Sequence, residues 1–253
     1  MLLRTGAECI TVSREEEMYS FDSRVRFSEV NEAGELSLVA MINYLQDCAG
    51  FHGEDAGYGV KWTKETGMTW VLTSIQVHVI RYPRYGERIR IETWAIDFKK
   101  CFGYRQYAIR DEEGRILVMG NANWVYMDLK AGRPVSVSEE QQDAYGKDAG
   151  LAFEYDFNSK KIRRPKDGER RKSFFITEDK LDTNHHVNNV QYVRMAEKYL
   201  PADFVTGNMR AEFRAQARLD DEIIPSVAEK DGVFTVVLES PEKDLYFIGE
   251  FSR

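Results

Sequence analysis

The chain has 253 residues, 43% hydrophobic and 12% aromatic, which suffices for a large buried core and excludes a disordered chain. A formal charge of −7 and a pI near 5.3 exclude nucleic acid as the default partner. Three scattered cysteines, Cys9, Cys48 and Cys101, form neither a disulfide framework nor a zinc knuckle, and no apolar run reaches membrane-spanning length.

The first residues lack the apolar stretch of a signal peptide, so the expected compartment is the cytoplasm. Leu38, Met41, Ile42, Leu45, Cys48 and Ala49 recur at helical spacing and predict a long helix. Residues 70–80, 88–98, 104–110 and 115–129 are rich in β-branched and aromatic side chains and predict strands, with a hairpin turn at 111–114. A polar stretch, 138–172, follows. Its last part, 160–172, holds eight basic residues against two acidic ones. It reads as a solvated linker or as a landing site for an acidic partner. A second helix is predicted at 187–199, halted before Pro201. Strands are predicted at 207–218, 222–229, 233–239 and 244–251, with turns at 231–232 and 240–243.

The two halves repeat one another. Residues 30–39 align with 181–190 at an offset of 151, 74–89 with 208–223 at 134, and 118–120 with 247–249 at 129. The falling offset leaves 17 extra residues in the first half (151 minus 134), around 51–68, a candidate lid. Each half is one helix followed by an antiparallel meander able to wrap it. The predicted fold is α+β, a double hotdog, with a first unit at 1–150 and a second at 151–253 joined within 138–172. A duplicated chain already supplies the pairing that single hotdogs obtain by dimerising, so monomer and homodimer both fit.

Residues 182–189 crowd a carboxylate, three carboxamides and two imidazoles ahead of the second helix. An EF-hand loop needs glycine and glutamate where Val187 and Val193 stand. Adjacent His185 and His186 diverge, and the other histidines, His52 and His78, are remote in sequence, so no metal is expected. No nucleophile elbow, dinucleotide motif or P-loop is present, and no cofactor is implied. Capping is the structural alternative, with Asp182 or Asn184 as cap and Asn188 and Asn189 tying down the first turn. The chemical reading is an acyl-transfer site. Helix N–H groups polarise a carbonyl, an imidazole exchanges protons, and a carboxylate orients it or takes a proton from water. With a helix start near His186, Asp182, Asn184 and His186 alternate on an extended lead-in and face one side, and His185 the other. Thioester hydrolysis suits such a site, because a thiol of pKa about 8.5 leaves with little acid help.

The run Asp182-x-Asn184-x-His186-Val-Asn-Asn-Val-x-Tyr192 resembles the signature of the acyl-acyl-carrier-protein thioesterases of plant plastids and bacteria. Residues 43–52, 98–105 and 123–128 are similar to that family's first helix and first-domain strands, and the likeness extends from about Tyr19 to Phe251. The resemblance implies hydrolysis of fatty acyl thioesters on acyl carrier protein, with catalytic roles for Asp182, Asn184 and His186. It also implies that the first unit holds the acyl chain and the second supplies the chemistry. Since that carrier is acidic, Arg163, Arg164, Arg170 and Arg171 become candidate docking residues. One departure matters. Where plant members place an acid and a cysteine, this chain has Gln216 and Ala217, which exclude a cysteine nucleophile there. Direct attack by water remains, with Asp182 as base or orienting group. His186 then steadies charge or relays a proton, Asn184 positions the thioester, and Gln216 is a candidate to hold the water. The alternatives are an acyl-CoA thioesterase and a non-catalytic acyl-carrier-binding protein.

Overall fold

A computed structural model describes residues 18–147, 152–158 and 160–253; Cys9 and the signal-peptide reading fall outside them. The first half contains β1 (Tyr19–Arg24), α1 (Leu38–Asp55), α2 (Val60–Thr66), β2 (Met68–Val79), β3 (Arg88–Lys99), β4 (Phe102–Arg110), β5 (Ile116–Asp128), β6 (Arg133–Pro134) and α3 (Glu139–Tyr145). The second contains β7 (Glu169–Arg170), β8 (Phe174–Phe175), α4 (Asn189–Glu197), β9 (Asn208–Phe213), β10 (Glu222–Lys230), β11 (Val233–Glu239) and β12 (Leu245–Ser252).

All of these strands join one antiparallel sheet in the order β1-β3-β4-β5-β2-β9-β12-β11-β10-β7, with β6 on β5 and β8 on β10. The register at the joint reveals the symmetry. Gln76 faces Arg210, and the pair Ser74–Glu212 is mirrored by His78–Asn208. A pseudo-two-fold axis therefore passes between Gln76 and Arg210, the residues that the 134 offset equates. On one side Gly120 sits opposite Val77, and on the other Gly249 sits opposite Ala211, which reproduces the 129 offset.

Both helices lie against this sheet and against each other, α1 on β1 and β3, α4 on β11 and β12, in one continuous apolar core. Ser37 caps α1 by accepting from the Ala40 N–H at 3.3 Å, and the predicted stripe Leu38, Met41, Ile42, Leu45 and Cys48 is buried. Each unit is thus a central helix wrapped by antiparallel strands, and the chain is a double hotdog.

Three regions differ from the sequence expectation. The strand expected at 207–218 stops at Phe213. Arg214 and Ala215 still donate to the carbonyls of Tyr246 and Leu245, and the chain then leaves the ladder for the turn before α4. The extra residues at 51–68 hold the last turn of α1 and all of α2, a helix the sequence pattern did not predict, and the Trp62 indole N–H donates to the Tyr126 hydroxyl at 3.1 Å. The stretch 138–172 is not simply solvated. Ser138 caps α3, whose Gln141 and Tyr145 are buried. Phe153 packs edge-on to Trp94, Tyr155 stacks on His78, and Ile162 joins Val237 and Ile248. Strands alternate their side chains, so Trp94, Val237 and Ile248 point away from the helices and need this strap as cover.

Candidate active site

The second-half turn is closed by Asp182. Leu181 and Val187 bridge its ends, the Asp182 N–H donates to the His186 carbonyl at 2.8 Å, and the His185 N–H donates to the Asp182 carbonyl at 3.0 Å. Asp182 Oδ1 accepts from the Asn184 N–H at 2.8 Å and the His186 N–H at 3.2 Å. The first half builds the same turn with a carboxamide: Asn31 Oδ1 accepts from the Ala33 N–H at 3.0 Å and the Glu35 N–H at 3.1 Å. A short 3-10 turn precedes each, Phe27–Glu29 and Glu178–Lys180. The left-handed residue is Gly34 in the first turn, at φ 74°, and His185 in the second, at φ 59°.

Two expectations are corrected by this geometry. The segment is a tight turn rather than an extended lead-in, so Asp182, Asn184 and His186 are not aligned by strand alternation. Neither Asp182 nor Asn184 caps the helix. Asn188 does, accepting from the Val190 N–H at 3.0 Å, while its own N–H is fixed by the Lys180 carbonyl at 3.0 Å. The turn's carboxylate is instead held by two backbone amides.

The side chains of Asn184, His185 and His186 make no hydrogen bond with any described residue. Asn184 and His185 are exposed and His186 is half-buried. The turn is tied to the segment leaving β9: the Val187 N–H donates to the Ala217 carbonyl at 2.9 Å, and the Ala217 N–H donates to the Tyr192 hydroxyl at 2.8 Å. Tyr192 is buried on α4 and stacks on Phe247, and burial raises its hydroxyl pKa and keeps it protonated. Gln216 is exposed beside this anchor, also without a hydrogen bond to a described residue. The structure thereby brings Asp182, Asn184, His186 and Gln216 to one region.

Next to Asn188 lies an open groove of about 280 Å³, whose other wall is α1 with Asn43, Gln46, Asp47, Phe51 and Glu54. Sequence reasoning did not place these residues at the site. The available signal was a polar stripe, Asn43, Asp47, Gly50 and Glu54, at helical spacing on a helix otherwise largely buried. Surrounding protein raises the pKa of the Asp47 carboxyl even though solvent reaches it, and the positive charge of Arg26 opposes the rise.

The four docking candidates are not equivalent. Arg164 pairs with the buried carboxylate of Glu239, and Arg171 with Glu169 at 2.7 Å. Arg163 and Arg170 are exposed and pair with no described residue. Among the described residues no group of three or more His, Cys, Asp or Glu could hold a metal ion, and no helix is long and apolar enough to cross a membrane.

Comparison with known proteins agrees with this architecture. A chloroplastic acyl-[acyl-carrier-protein] hydrolase of Cuphea viscosissima is 27% identical over 221 residues, covering 82% of this chain and 53% of that protein. The chloroplastic oleoyl-acyl carrier protein thioesterase 1 of Arabidopsis thaliana is 24% identical over 218 residues, covering 79% and 60%. The chain thus spans just over half the length of these relatives. An acyl-ACP thioesterase from Bacteroides thetaiotaomicron superposes with a TM-score of 0.85 at 19% identity, covering 93% of this chain and 97% of the other. The 12:0-ACP thioesterase from Umbellularia californica does so with a TM-score of 0.79 at 19% identity, covering 93% and 96%, and both share the fold. The model of the acyl-ACP thioesterase N-terminal domain matches residues 16–145, half of the chain by itself. The model of the C-terminal domain matches residues 164–236 in the expected order, and the chain belongs to the acyl-ACP thioesterase family.

Proposed function

We propose that this protein hydrolyses fatty acyl thioesters on acyl carrier protein to free fatty acid and the carrier thiol. One observation carries the reading. The same turn is built twice, and only the second copy presents carboxamide and imidazole side chains, Asn184 and His186, that the described protein leaves unbonded. Asn184 positions the thioester, His186 steadies the developing oxyanion or relays a proton, and Asp182 orients both through the turn. Gln216, pinned beside the turn through Ala217, holds water by hydrogen bond. No cysteine nucleophile is available at Ala217, so the acyl group passes directly to water. The first unit, 1–150, holds the acyl chain and the second, 151–253, performs the chemistry. Arg163 and Arg170 contribute to docking of the acidic carrier, and the enzyme works in the cytoplasm as a monomer or homodimer.

The test is thiol release from matched acyl carrier protein and acyl-CoA substrates over a range of chain lengths. Faster release from the carrier supports the proposal; equal rates remove the carrier preference, and binding without turnover establishes a non-catalytic role. His186→Ala is expected to lower kcat by about 100-fold or more while the protein stays folded.

A further inference from the structure

We infer that Asp47, on the central helix of the first half, is the base that activates water for the site in the second half. The inference rests on the thioesterase reading above and assigns the base to the first half.

Helix α1 is buried along most of its length, yet Asn43, Asp47, Gly50 and Glu54 form an uncovered stripe, and that stripe faces Asn188 at the start of α4. A polar stripe on a central helix needs a partner or solvent, and here it walls the groove whose far side is Asn188, two residues beyond His186. Of the two carboxylates in that wall, Glu54 is engaged, accepting from the Val60 N–H at 2.7 Å and so closing the α1–α2 connection. Asp47 makes no hydrogen bond or ion pair with any described residue. The cation acting on it, Arg26, is itself held by Glu29 at 3.0 Å.

The second-half residues leave the place of a base open. Asp182 spends Oδ1 on two backbone amides, and Asn31 shows that a carboxamide performs the same duty. Gln216 cannot accept a proton. His186 is left for the oxyanion and the leaving group. Asp47 is a free carboxylate across the groove, and crowding by protein raises its affinity for a proton, which suits a base.

In the step, Asp47 takes one proton from water as the water oxygen bonds to the thioester carbonyl carbon. The tetrahedral intermediate collapses with cleavage of the C–S bond, and the electron pair leaves on sulfur. The proton held by Asp47 passes to that thiolate, directly or through His186, giving the carrier thiol. The other proton of water stays with the fatty acid. One water is consumed, and Asp47 returns to its starting state.

The experiment compares wild type with Asp47→Asn, Asp47→Glu and Asp47→Ala, using acyl carrier protein as substrate and thermal unfolding as a control for folding. Asp47→Asn is expected to lower kcat by about 10²–10⁴-fold with KM changed less than about threefold. Asp47→Glu retains more activity than Asp47→Asn, and added formate restores turnover to Asp47→Ala but not to His186→Ala. A merely structural residue would not respond to formate. Near wild-type turnover in Asp47→Asn, or a loss that neither glutamate nor formate relieves, overturns the inference while the thioesterase reading stands. Wild-type protein that releases no thiol refutes that reading and this inference with it.

Discussion

Substituting Asp182 separates the turn from the chemistry. Its Oδ1 holds two backbone amides, those of Asn184 and His186, and the first-half turn does the same with the neutral Oδ1 of Asn31. A hydrogen bond to a charged group contributes about 1.5–3 kcal/mol and a neutral one about 1 kcal/mol, and the exposure of this turn points to the lower ends. Asp182→Asn keeps both acceptor contacts and is expected to cost about 1 kcal/mol. Asp182→Ala loses both and is expected to cost about 2–3 kcal/mol. Urea unfolding followed by circular dichroism measures the stability, and steady-state thiol release measures the consequence. If Asp182 acts only through the turn, Asp182→Asn keeps kcat within about tenfold of wild type, while Asp182→Ala loses far more as His186 comes adrift. Full stability in Asp182→Asn combined with a kcat as low as that of His186→Ala would refute this account and make Asp182 the base.

His185 occupies a left-handed conformation at φ 59° where the first half uses Gly34. His185→Gly is therefore expected to raise the unfolding free energy by up to about 1 kcal/mol, read as a higher Tm, with thiol release unchanged. Burial of Glu197 on α4 raises its carboxyl to about 7, against the attraction of Arg194. A raised carboxyl binds its proton more tightly in the folded state, so stability falls as pH rises from the unfolded value through about 7 and then levels. Glu197→Gln is expected to remove that slope and to gain up to about 3 kcal/mol at pH 8, measured by urea titration across pH. Reversing Arg163 and Arg170 to glutamate is expected to raise KM for acyl carrier protein by about tenfold at low salt and less at high salt. Arg164→Ala strands the buried Glu239 carboxylate and is expected to lower stability by about 3 kcal/mol, read from the Tm.

The strands and helices were legible because their side chains follow periods of two and of 3.6, and the falling offsets already encoded the pseudo-two-fold axis. What the sequence left open was which of several equivalent groups does a given job. Asp182, Asn184 and Asn188 are all good caps by residue type, and the fold selects Asn188, whose Oδ1 accepts from the Val190 N–H while its own N–H is fixed by the Lys180 carbonyl. The strap was hidden by its polar composition, since three side chains, Phe153, Tyr155 and Ile162, anchor it at wide spacing. Asp47 was invisible for a different reason. Its stripe looks like an ordinary solvated helix face until the pairing of β2 with β9 sets α1 beside α4.

The Gln76–Arg210 register has a consequence for how the two turns divide their burdens. In an assembly of two identical chains, a histidine forced into left-handed backbone would appear at both turns, and its conformational penalty would be counted twice. Here both units belong to one polypeptide, welded along a shared ladder. One turn keeps its relaxed glycine, and the other alone bears the strain of His185.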